Sequence, residues 1–473
     1  MITFDDLTLK AFYNEQKDFF VGARLNKIQQ PTRREFILTF RNLGQSKQLY
    51  VNITPQMYHV CFMSKENYAK RILEIPQKPP MFCMLLRKYL ENARISDVKT
   101  PPNERILEFY IETFNELGDK IYLCLAIELM GKHSNIVLYN TDTDIIIGCA
   151  HNVGAEKSRE REIYGGIPYV YPPKQQNAKK SWTSLIEEKT VTSSVNDLID
   201  EYYSGLIAED KYNKLKNNYK IIISQKLKKI NKSISQMNDK LTSGSDSDKY
   251  RLWGDLIMAN LYCLKDYSSE VEVYDYENDC QLKIFIDANL SLKDNANKFY
   301  RLYNKSKSAR IKLSELVEEA VQKKEYFEQL LYSIDSALSM SDLLDVSFEV
   351  EDKKESKKDK KLNDIPIVEI GENTKIYIGK NNKQNDYIIS KIASDEDLWF
   401  HVHNCAGSHV LLKTQNVTDE LIFECAKIAK EYSSVKESSK IGVIYTKRKY
   451  LRKPPGANLG YVTYKNEKEI VLD

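Results

Sequence analysis

Two runs of apolar residues at heptad spacing constrain what this 473-residue chain can fold into more than any other feature. The first run recurs every three or four residues: Ile223, Leu227, Ile230, Ile234, Met237 and Leu241. The second is interrupted by one lysine: Leu313, Leu316, Ala320, Lys323, Phe327, Leu330, Ile334 and Ala337. Two such runs in one chain predict an antiparallel coiled-coil arm, roughly 70 Å long if its first helix fills 195 to 242.

The predicted arm, residues 195–350, separates two parts with other sequence patterns. Residues 1–173 carry short strand-like runs bounded by turn residues, which predicts an α+β domain. These runs are 36–40, 49–53, 106–111 and 121–125. Residues 364–473 predict a C-terminal α/β module. The expected fold class is therefore α+β and multidomain.

Three further segments complete the predicted organisation. Residues 174–194 form a linker after the first domain, and the charged run 351–363 forms a second linker before the C-terminal module. Residues of about 243–295 interrupt the heptads and predict a small tip segment. Within it, 271–274 and 282–286 are expected to pair as a hairpin.

Composition limits the classes of function. The net charge is only +3, so any affinity for nucleic acid must come from local basic patches. The eight cysteines show no Cys-x-x-Cys spacing, which argues against a zinc ribbon or a disulfide scaffold. The N-terminus lacks a secretory signal pattern, and no apolar run of ~20 residues could span a bilayer. We therefore expect a cytoplasmic protein with no membrane partner.

Residues 398–410 concentrate three of the six histidines beside Trp399. The apolar run before Gly407 predicts a strand that enters a tight turn, where Ser408 and His409 offer donors to a ligand. A metal site of His401, His403 and His409 is the weaker interpretation, because no carboxylate stands at a supporting spacing. Burial of His401 against the backbone is a further alternative. No metal or other cofactor is expected.

Two polar patches lie on either side of this segment. Residues 379–386 hold two lysines and four amides, which suit phosphate and ribose contacts. An ordinary polar hairpin turn between 376–378 and 387–389 explains the same composition. Residues 447–453 hold five basic residues and one tyrosine, a pattern that suits phosphate binding and base stacking.

Several motifs together resemble those of the NFACT family. They are Arg24–Pro31, Pro80–Phe82 with Arg87–Leu90, Glu128–Asn135, Tyr250–Asn260, Asn295–Tyr300, Gly379–Tyr387, Leu398–Val410 and Lys453–Asn458. Because these motifs are spread along the chain, the resemblance covers all of it. It departs from the family in lacking a helix-hairpin-helix module after the first domain, in Ala406 where proline is usual, and in Asp6 where glycine is usual.

The resemblance implies which residues contact RNA. The tRNA-binding set is Glu104, Arg105, Lys132, His133 and Asn135, where Glu104 and Arg105 match a family Asp-Arg pair; a plain surface ion pair would look the same. The RNA-binding set of the C-terminal module is Lys380, Asn381, Lys383, Asn385, Trp399, His401, Ser408, His409, Lys447, Arg448 and Lys453. The ribosome-binding set at the tip is Tyr250, Arg251 and Trp253.

The function that the resemblance implies is ribosome quality control. Such a factor binds large ribosomal subunits obstructed with peptidyl-tRNA and recruits tRNA, mainly alanyl-tRNA in bacteria, for template-free C-terminal tailing of stalled chains, which marks them for degradation. A small RNA-binding accessory factor of the tailing cycle is a further expected partner. We expect no enzymatic activity in the chain itself, since no nucleophile, base and oxyanion grouping is apparent.

Two alternatives come from other classes. A DNA glycosylase-like enzyme is disfavoured, because the chain lacks the Pro-Glu N-terminus and the four-cysteine zinc finger of those enzymes. A fibronectin-binding surface adhesin is disfavoured by the missing export signal.

Overall fold

The computed structural model describes residues 2–114, 118–156, 158, 160–173, 183–188, 194–243, 247–275, 278–351, 365–371 and 373–473. The chain forms two compact units, Met1–Lys211 and Tyr212–Asp473. Within the described part, no helix combines the length and the apolar character needed to cross a membrane.

The first unit is built on a large antiparallel sheet. In chain order its elements are β1 (Ile2–Thr3), α1 (Asp6–Phe20), β2 (Arg24–Thr32), β3 (Glu35–Asn42), β4 (Gln45–Asn52), β5 (His59–Phe62), α2 (Lys65–Arg71), α3 (Met81–Leu90), β6 (Arg94–Lys99), β7 (Ile106–Phe114), β8 (Lys120–Glu128), β9 (Asn135–Asn140), β10 (Ile146–Cys149), β11 (Thr183–Ser184) and α4 (Leu185–Glu188). Nine strands follow the order β10-β9-β8-β7-β6-β2-β3-β4-β5. The four runs predicted as strands fall on β3, β4, β7 and β8, which confirms the α+β prediction.

Helix α1 covers the sheet with phenylalanines. Asp5 caps this helix by accepting a hydrogen bond from the Thr8 backbone N–H at 2.9 Å, which satisfies a donor that would otherwise lack a partner. The Phe20 ring centroid lies 5.0 Å from that of Phe109, a favourable edge-on distance. Asp6, which departs from the family pattern, is the first residue of α1, where a carboxylate interacts favourably with the helix dipole.

Helix α5 (Val195–Ser243) begins inside the first unit. Its apolar residues in the core of that unit are Ile199, Tyr203 and Ile207. Asp200 is 1% exposed and accepts a hydrogen bond at 2.6 Å from the fully buried Arg71. Asn67 donates to the same carboxylate at 2.8 Å. The helix therefore belongs to the first unit as far as Lys211, further along the chain than the predicted start of the arm at 195.

The predicted linkers are described only in part. Within 174–194, strand β11 pairs in parallel with β1, and the Ser184 hydroxyl donates to Asp5 at 2.8 Å. Residues 174–182 and 189–193 lie outside the described residues, as does 352–364, which includes most of the charged linker. The absence of a helix-hairpin-helix module therefore stays a prediction from the sequence.

The second unit starts with an antiparallel helical arm. After α5 its elements are α6 (Ser247–Ala259), β12 (Glu270–Asp275), β13 (Cys280–Phe285), α7 (Leu292–Ser336), α8 (Met340–Asp345) and α9 (Ser347–Val350). Lys220 on α5 pairs with Asp335 on α7 at 2.5 Å, and the Lys226 ammonium lies over the Phe327 ring. Residues later in α5 therefore contact residues earlier in α7, so the two helices run in opposite directions. The predicted antiparallel arm is confirmed.

The packed part of the arm is shorter than the heptads predict. Its buried residues on the two helices are Tyr219, Ile223, Phe327, Leu330 and Ile334. Leu316, placed in the second run, is 43% exposed. At the tip, the predicted hairpin is present as β12 and β13, with Val273 opposite Leu282. The hairpin packs with α6 and the start of α7 in a small core of its own.

The C-terminal module follows the arm. Its elements are β14 (Ile367–Ile370), β15 (Thr374–Ile378), α10 (Asn382–Tyr387), a π-helical turn (Ile388–Ile392), β16 (Leu398–Val402), β17 (Val410–Lys413), α11 (Asp419–Glu431), β18 (Ile441–Lys447) and β19 (Lys468–Leu472). Its antiparallel sheet has the order β14-β15-β17-β16-β18-β19. Helix α11 packs on one face, and Trp399 lies on the other with residues of the π-helical turn.

The segment 379–386 is not the hairpin turn that its composition permits. Asn381 caps α10 by accepting a hydrogen bond from the Gln384 backbone N–H at 2.9 Å. The Gln384 side chain accepts one from the Lys380 backbone N–H at 3.0 Å. These reciprocal bonds satisfy the start of a helix, which then continues through 387–389, where the alternative placed a strand.

Replacing Asp200 with alanine should destabilise the first unit by about 3–5 kcal/mol, because the Arg71 charge stays buried without its partner. Burial alone raises the pKa of Asp200, but the Arg71 guanidinium and the hydrogen bonds from Ser64 and Asn67 outweigh burial and lower it. This stabilisation is therefore complete above the unfolded-state pKa of about 3.9 and is lost as the pH falls from there through the folded-state value.

Chemical denaturation of the wild-type and Asp200→Ala chains between pH 7 and pH 3 measures both effects. Asp97→Ala, which removes an exposed partner of Lys99, is the matched control and should change the unfolding free energy little. Equal unfolding free energies for the wild-type and Asp200→Ala chains at pH 7 would contradict the assignment.

Candidate RNA-contacting surfaces

The predicted tRNA-binding residues of the first unit meet at one end of its sheet. Ile106 at the start of β7 lies opposite Glu128 at the end of β8. Arg105 is therefore next to the turn that follows β8, and this turn leaves Lys132 and His133 exposed. The structure thus brings Arg105 and two further nitrogen-bearing side chains to one edge.

Tyr58, which the sequence did not single out, holds Arg105 in place. The Arg105 guanidinium donates to the Tyr58 hydroxyl at 2.8 Å, and its carbon lies 5.4 Å from the ring centroid, within cation–π range. The Tyr58 hydroxyl also forms a 2.7 Å hydrogen bond with Thr3. Glu104 is partly exposed beside Arg105. Because Tyr58 lies 47 residues upstream of Arg105, no local motif reveals the contact.

Asn135 does not contact solvent as the sequence prediction requires. It is 2% exposed, and its amide donates to the His151 carbonyl at 2.8 Å. Its oxygen accepts hydrogen bonds from the backbone N–H groups of Ile136 and His151. The Asn135 side chain therefore joins the start of β9 to the segment that follows β10, and its role as a tRNA contact stays a prediction.

The rings of Trp399, His401 and His409 pack together, with Trp399 and His409 buried and His401 partly exposed. Trp399 is 1% exposed and His409 is 4% exposed. The Trp399 and His401 rings stack at 5.7 Å, and His409 lies edge-on at 5.2 Å from Trp399. Burial lowers the pKa of His401 to about 4 and holds that of His409 well below its usual value. Both imidazoles are therefore neutral near pH 7 and give the segment its shape.

His403 is separate from this cluster. Its ring forms a 3.0 Å hydrogen bond with the Glu469 carboxylate at an exposed site. Among the residues that the structure describes, no group of three or more histidine, cysteine, aspartate or glutamate side chains could hold a metal ion. The three histidines do not converge as a metal site would require.

Three polar residues predicted to contact RNA are used inside the module. Asn381, Asn385 and Ser408 are 4%, 2% and 1% exposed. The Asn385 oxygen accepts a hydrogen bond from the His409 backbone N–H at 3.1 Å. These three side chains, like those of Trp399 and His409, are buried, and their role as RNA contacts stays a prediction. The Ser408 hydroxyl has no hydrogen-bond partner among the described residues.

Carboxylates of the same module already bind much of the basic patch 447–453. Lys447 and Lys449 each lie 2.6 Å from Glu396. Their hydrogen bonds lower the pKa of Glu396 to about 2. Arg448 lies 3.4 Å from Asp395. The patch therefore presents less positive charge than its composition indicates.

The remaining predicted cations differ from one another. Lys453 forms an ion pair with Asp386. Lys383 lies 5.9 Å from the centroid of the Phe348 ring. Lys380 is partly exposed, and no carboxylate among the described residues pairs with it. Of the predicted RNA contacts, Lys380 is thus the cation most available to a phosphate.

The aromatic residues predicted to bind the ribosome build the core of the tip. Tyr250 stacks on Phe299 at 6.2 Å, and Trp253 meets Phe299 edge-on at 5.3 Å. Arg251 is exposed and lies 3.7 Å from Asp255. Of the predicted set, Arg251 is the side chain that the structure presents to a partner.

The chain belongs to the NFACT family. The family profile of the NFACT N-terminal and middle domains matches residues 5–188 and 177–364, and that of the NFACT protein RNA binding domain matches 368–466. Together these matches span both units and the arm, as the motif resemblance predicts.

Similar proteins cover the whole chain. The Rqc2 homolog RqcH of Bacillus subtilis (strain 168) is 26% identical over 566 residues, which cover 100% of this chain and 98% of that protein. The Rqc2 homolog RqcH of Streptococcus suis (strain 05ZYH33) is 26% identical over 549 residues, which cover 99% of this chain and 98% of that protein. Both alignments exceed the 473 residues of this chain, so these relatives carry segments that it lacks.

Several solved structures are also similar. The N-terminal part of the fibronectin/fibrinogen-binding protein from Streptococcus suis is 34% identical, and the match covers 37% of this chain and 62% of that chain. Its TM-score of 0.34 adds nothing to the assignment of the fold.

The Lys380→Gln variant should bind RNA with a weaker salt dependence than wild type. Loss of one phosphate contact should make the slope of log affinity against log salt shallower by about 0.7 to 0.9. Lys447→Gln should change the slope less, because Glu396 already neutralises that lysine. Glu396→Gln should strengthen binding, because it frees Lys447 and Lys449 for phosphate.

Titration of the full chain with tRNA at several salt concentrations measures these slopes. Lys436→Gln is the control, because this exposed lysine lies outside the segments 379–386, 398–410 and 447–453. An unaltered slope in Lys380→Gln, or weaker binding in Glu396→Gln, would reject this surface as the RNA contact.

Proposed function

We propose that this protein is a ribosome quality-control factor. It binds large ribosomal subunits that are obstructed with peptidyl-tRNA and recruits tRNA for template-free C-terminal tailing of the stalled chain. The recruited tRNA is tRNA-Ala, and the tail marks the chain for degradation. Similarity along the entire chain to proteins named Rqc2 homolog RqcH is the observation that carries this proposal.

The geometry supports a division of labour along the chain. Arg105, Lys132 and His133 form a nitrogen-rich edge of the first unit that suits a tRNA backbone. The C-terminal module matches an RNA-binding domain. The two long helices of the arm, of 49 and 45 residues, carry the tip segment, which suits a contact on a partner as large as a ribosomal subunit.

We further propose that the chain is not itself an enzyme. Peptide bonds then form at the ribosomal peptidyl transferase centre, and the protein acts by holding the subunit and the tRNA close together. This role needs binding surfaces and no bound cofactor. It places the protein in the cytoplasm, with the subunit, its peptidyl-tRNA and a small RNA-binding accessory factor as partners.

The double variant Glu104→Ala with Arg105→Ala should abolish tailing and leave subunit binding intact, because the tRNA-facing edge loses its charged pair. Tyr58→Phe should lower tailing partially, since Arg105 keeps the ring and loses the hydroxyl. Tail length on a stalled reporter and co-sedimentation with large subunits are the two measurements. Arg41→Ala, an exposed arginine of the same sheet, is the control; normal tails from the double variant would rule out the assignment.

Removing the outer part of the arm, with its tip, should abolish association with large ribosomal subunits while both compact units of the protein stay folded. The contacts of Lys220 with Asp335 and of Lys226 with Phe327 define how the two helices are aligned. Continued outward along the arm, this alignment places residue 236 of α5 opposite residue 317 of α7. Deleting 237–316 and closing the gap with a short glycine-serine loop removes the tip and keeps the buried base. Unchanged co-sedimentation of this variant would show that the arm has only a structural role.

A further inference from the structure

Helix α7 presents different faces to different neighbours near its C-terminal end. Phe327 and Leu330 pack against α5 in the base of the arm. Gln329 and Tyr332, three residues apart and so on one side of the helix, contact instead the turn at Gly407 and Ser408 of the C-terminal module. This is the segment that the sequence identified as a ligand-binding turn.

Gln329 binds both polar groups of one backbone position. Its amide nitrogen donates to the Gly407 carbonyl at 2.8 Å, and its amide oxygen accepts from the Gly407 N–H at 2.8 Å. On the other side, a Cβ at position 407 would lie 3.1 Å from the Ser433 Cβ. A side chain at 407 would therefore force the segment to move, which explains the glycine without any ligand.

The neighbouring backbone groups are also satisfied within the module. The Ser408 N–H donates to the Tyr432 carbonyl at 2.8 Å, and the Ser434 N–H donates to the Ala406 carbonyl at 2.8 Å. Tyr332 lies beside Ser408, and burial raises the pKa of Tyr332 to about 12. The Ser408 hydroxyl is buried and has no hydrogen-bond partner among the described residues. The segment 406–408 thus lies between α7 and residues 432–434, and its backbone is held from both sides.

A second bridge joins the same helix to the module. The Tyr326 hydroxyl donates to the buried Glu349 carboxylate at 2.7 Å, and the Asn382 amide donates to the same oxygen at 2.9 Å. Tyr326 belongs to α7 and Asn382 to α10. Two independent polar contacts therefore fix α7 against the C-terminal module.

We infer that the segment 406–408 is a docking surface for the arm helix rather than an RNA contact. Gln329 is the positioning residue that fixes the direction of the arm relative to the RNA-binding module. The two ends of the second unit then move as one body, so an RNA held by the module keeps a set distance from whatever the tip contacts. This inference does not depend on the proposed function, since it concerns a contact within the chain.

Hydrogen exchange of the full chain tests the docking. In Gln329→Met, which keeps the side-chain volume, and in Gln329→Ala, the Gly407 amide should exchange at least about fivefold faster, as the loss of one hydrogen bond predicts. Gln236→Ala, at an exposed glutamine of α5, should leave Gly407 unchanged. Unaltered exchange at Gly407 in both Gln329 variants would overturn the inference.

Titration of the same variants with purified tRNA tests whether the segment 406–408 contacts RNA. The affinity of Gln329→Met should stay within about threefold of wild type, since a lost contact to phosphate would weaken binding by more than that. A larger loss in this variant would assign the segment to RNA and overturn the inference. If the full chain binds no tRNA at all, the proposed function fails, and the exchange experiment still decides the docking.

Discussion

One continuous helix of 45 residues, α7, must satisfy three sets of neighbours with a single backbone. Its first turns place Phe299 in the core of the tip, and its last turns place Phe327 and Leu330 against α5. Gln329 and Tyr332 use a further side for the C-terminal module. Phe299 and Phe327 have the same heptad position, so the tip and the base use one face of the helix, whereas Gln329 lies on another face. The exposed Leu316 lies between the tip and the base.

The sequence predicted the architecture better than the site. Heptads and strand patterns depend on local spacing, and they located the arm, the tip hairpin and four of the nine strands of the first sheet. The partners of polar side chains depend on residues far along the chain. No local sequence pattern shows that Asn135 forms hydrogen bonds with the backbone of His151, or that Tyr58 accepts a hydrogen bond from Arg105. From the sequence alone, amide side chains that contact ribose therefore cannot be distinguished from amide side chains that stabilise turns and helix starts.

The basic patch shows the same limit for charge. Its carboxylate partners, Asp395 and Glu396, lie more than fifty residues before Lys447 and Lys449, so a count of basic residues in a window overstates the local field. In contrast, Lys380 lies beside a capped helix start and is partly exposed, and no carboxylate among the described residues pairs with it. The family resemblance identified the correct module, and the structure changes which of its side chains can reach a ligand.

The bridge of Glu396 between two lysines has a kinetic consequence. A phosphate that approaches Lys447 and Lys449 has to displace an anion that is already in place, so the net free energy gained on binding is small. Such a contact would hold an RNA briefly and release it without a large barrier. A short residence time would suit the exchange of tRNA that the proposed function requires.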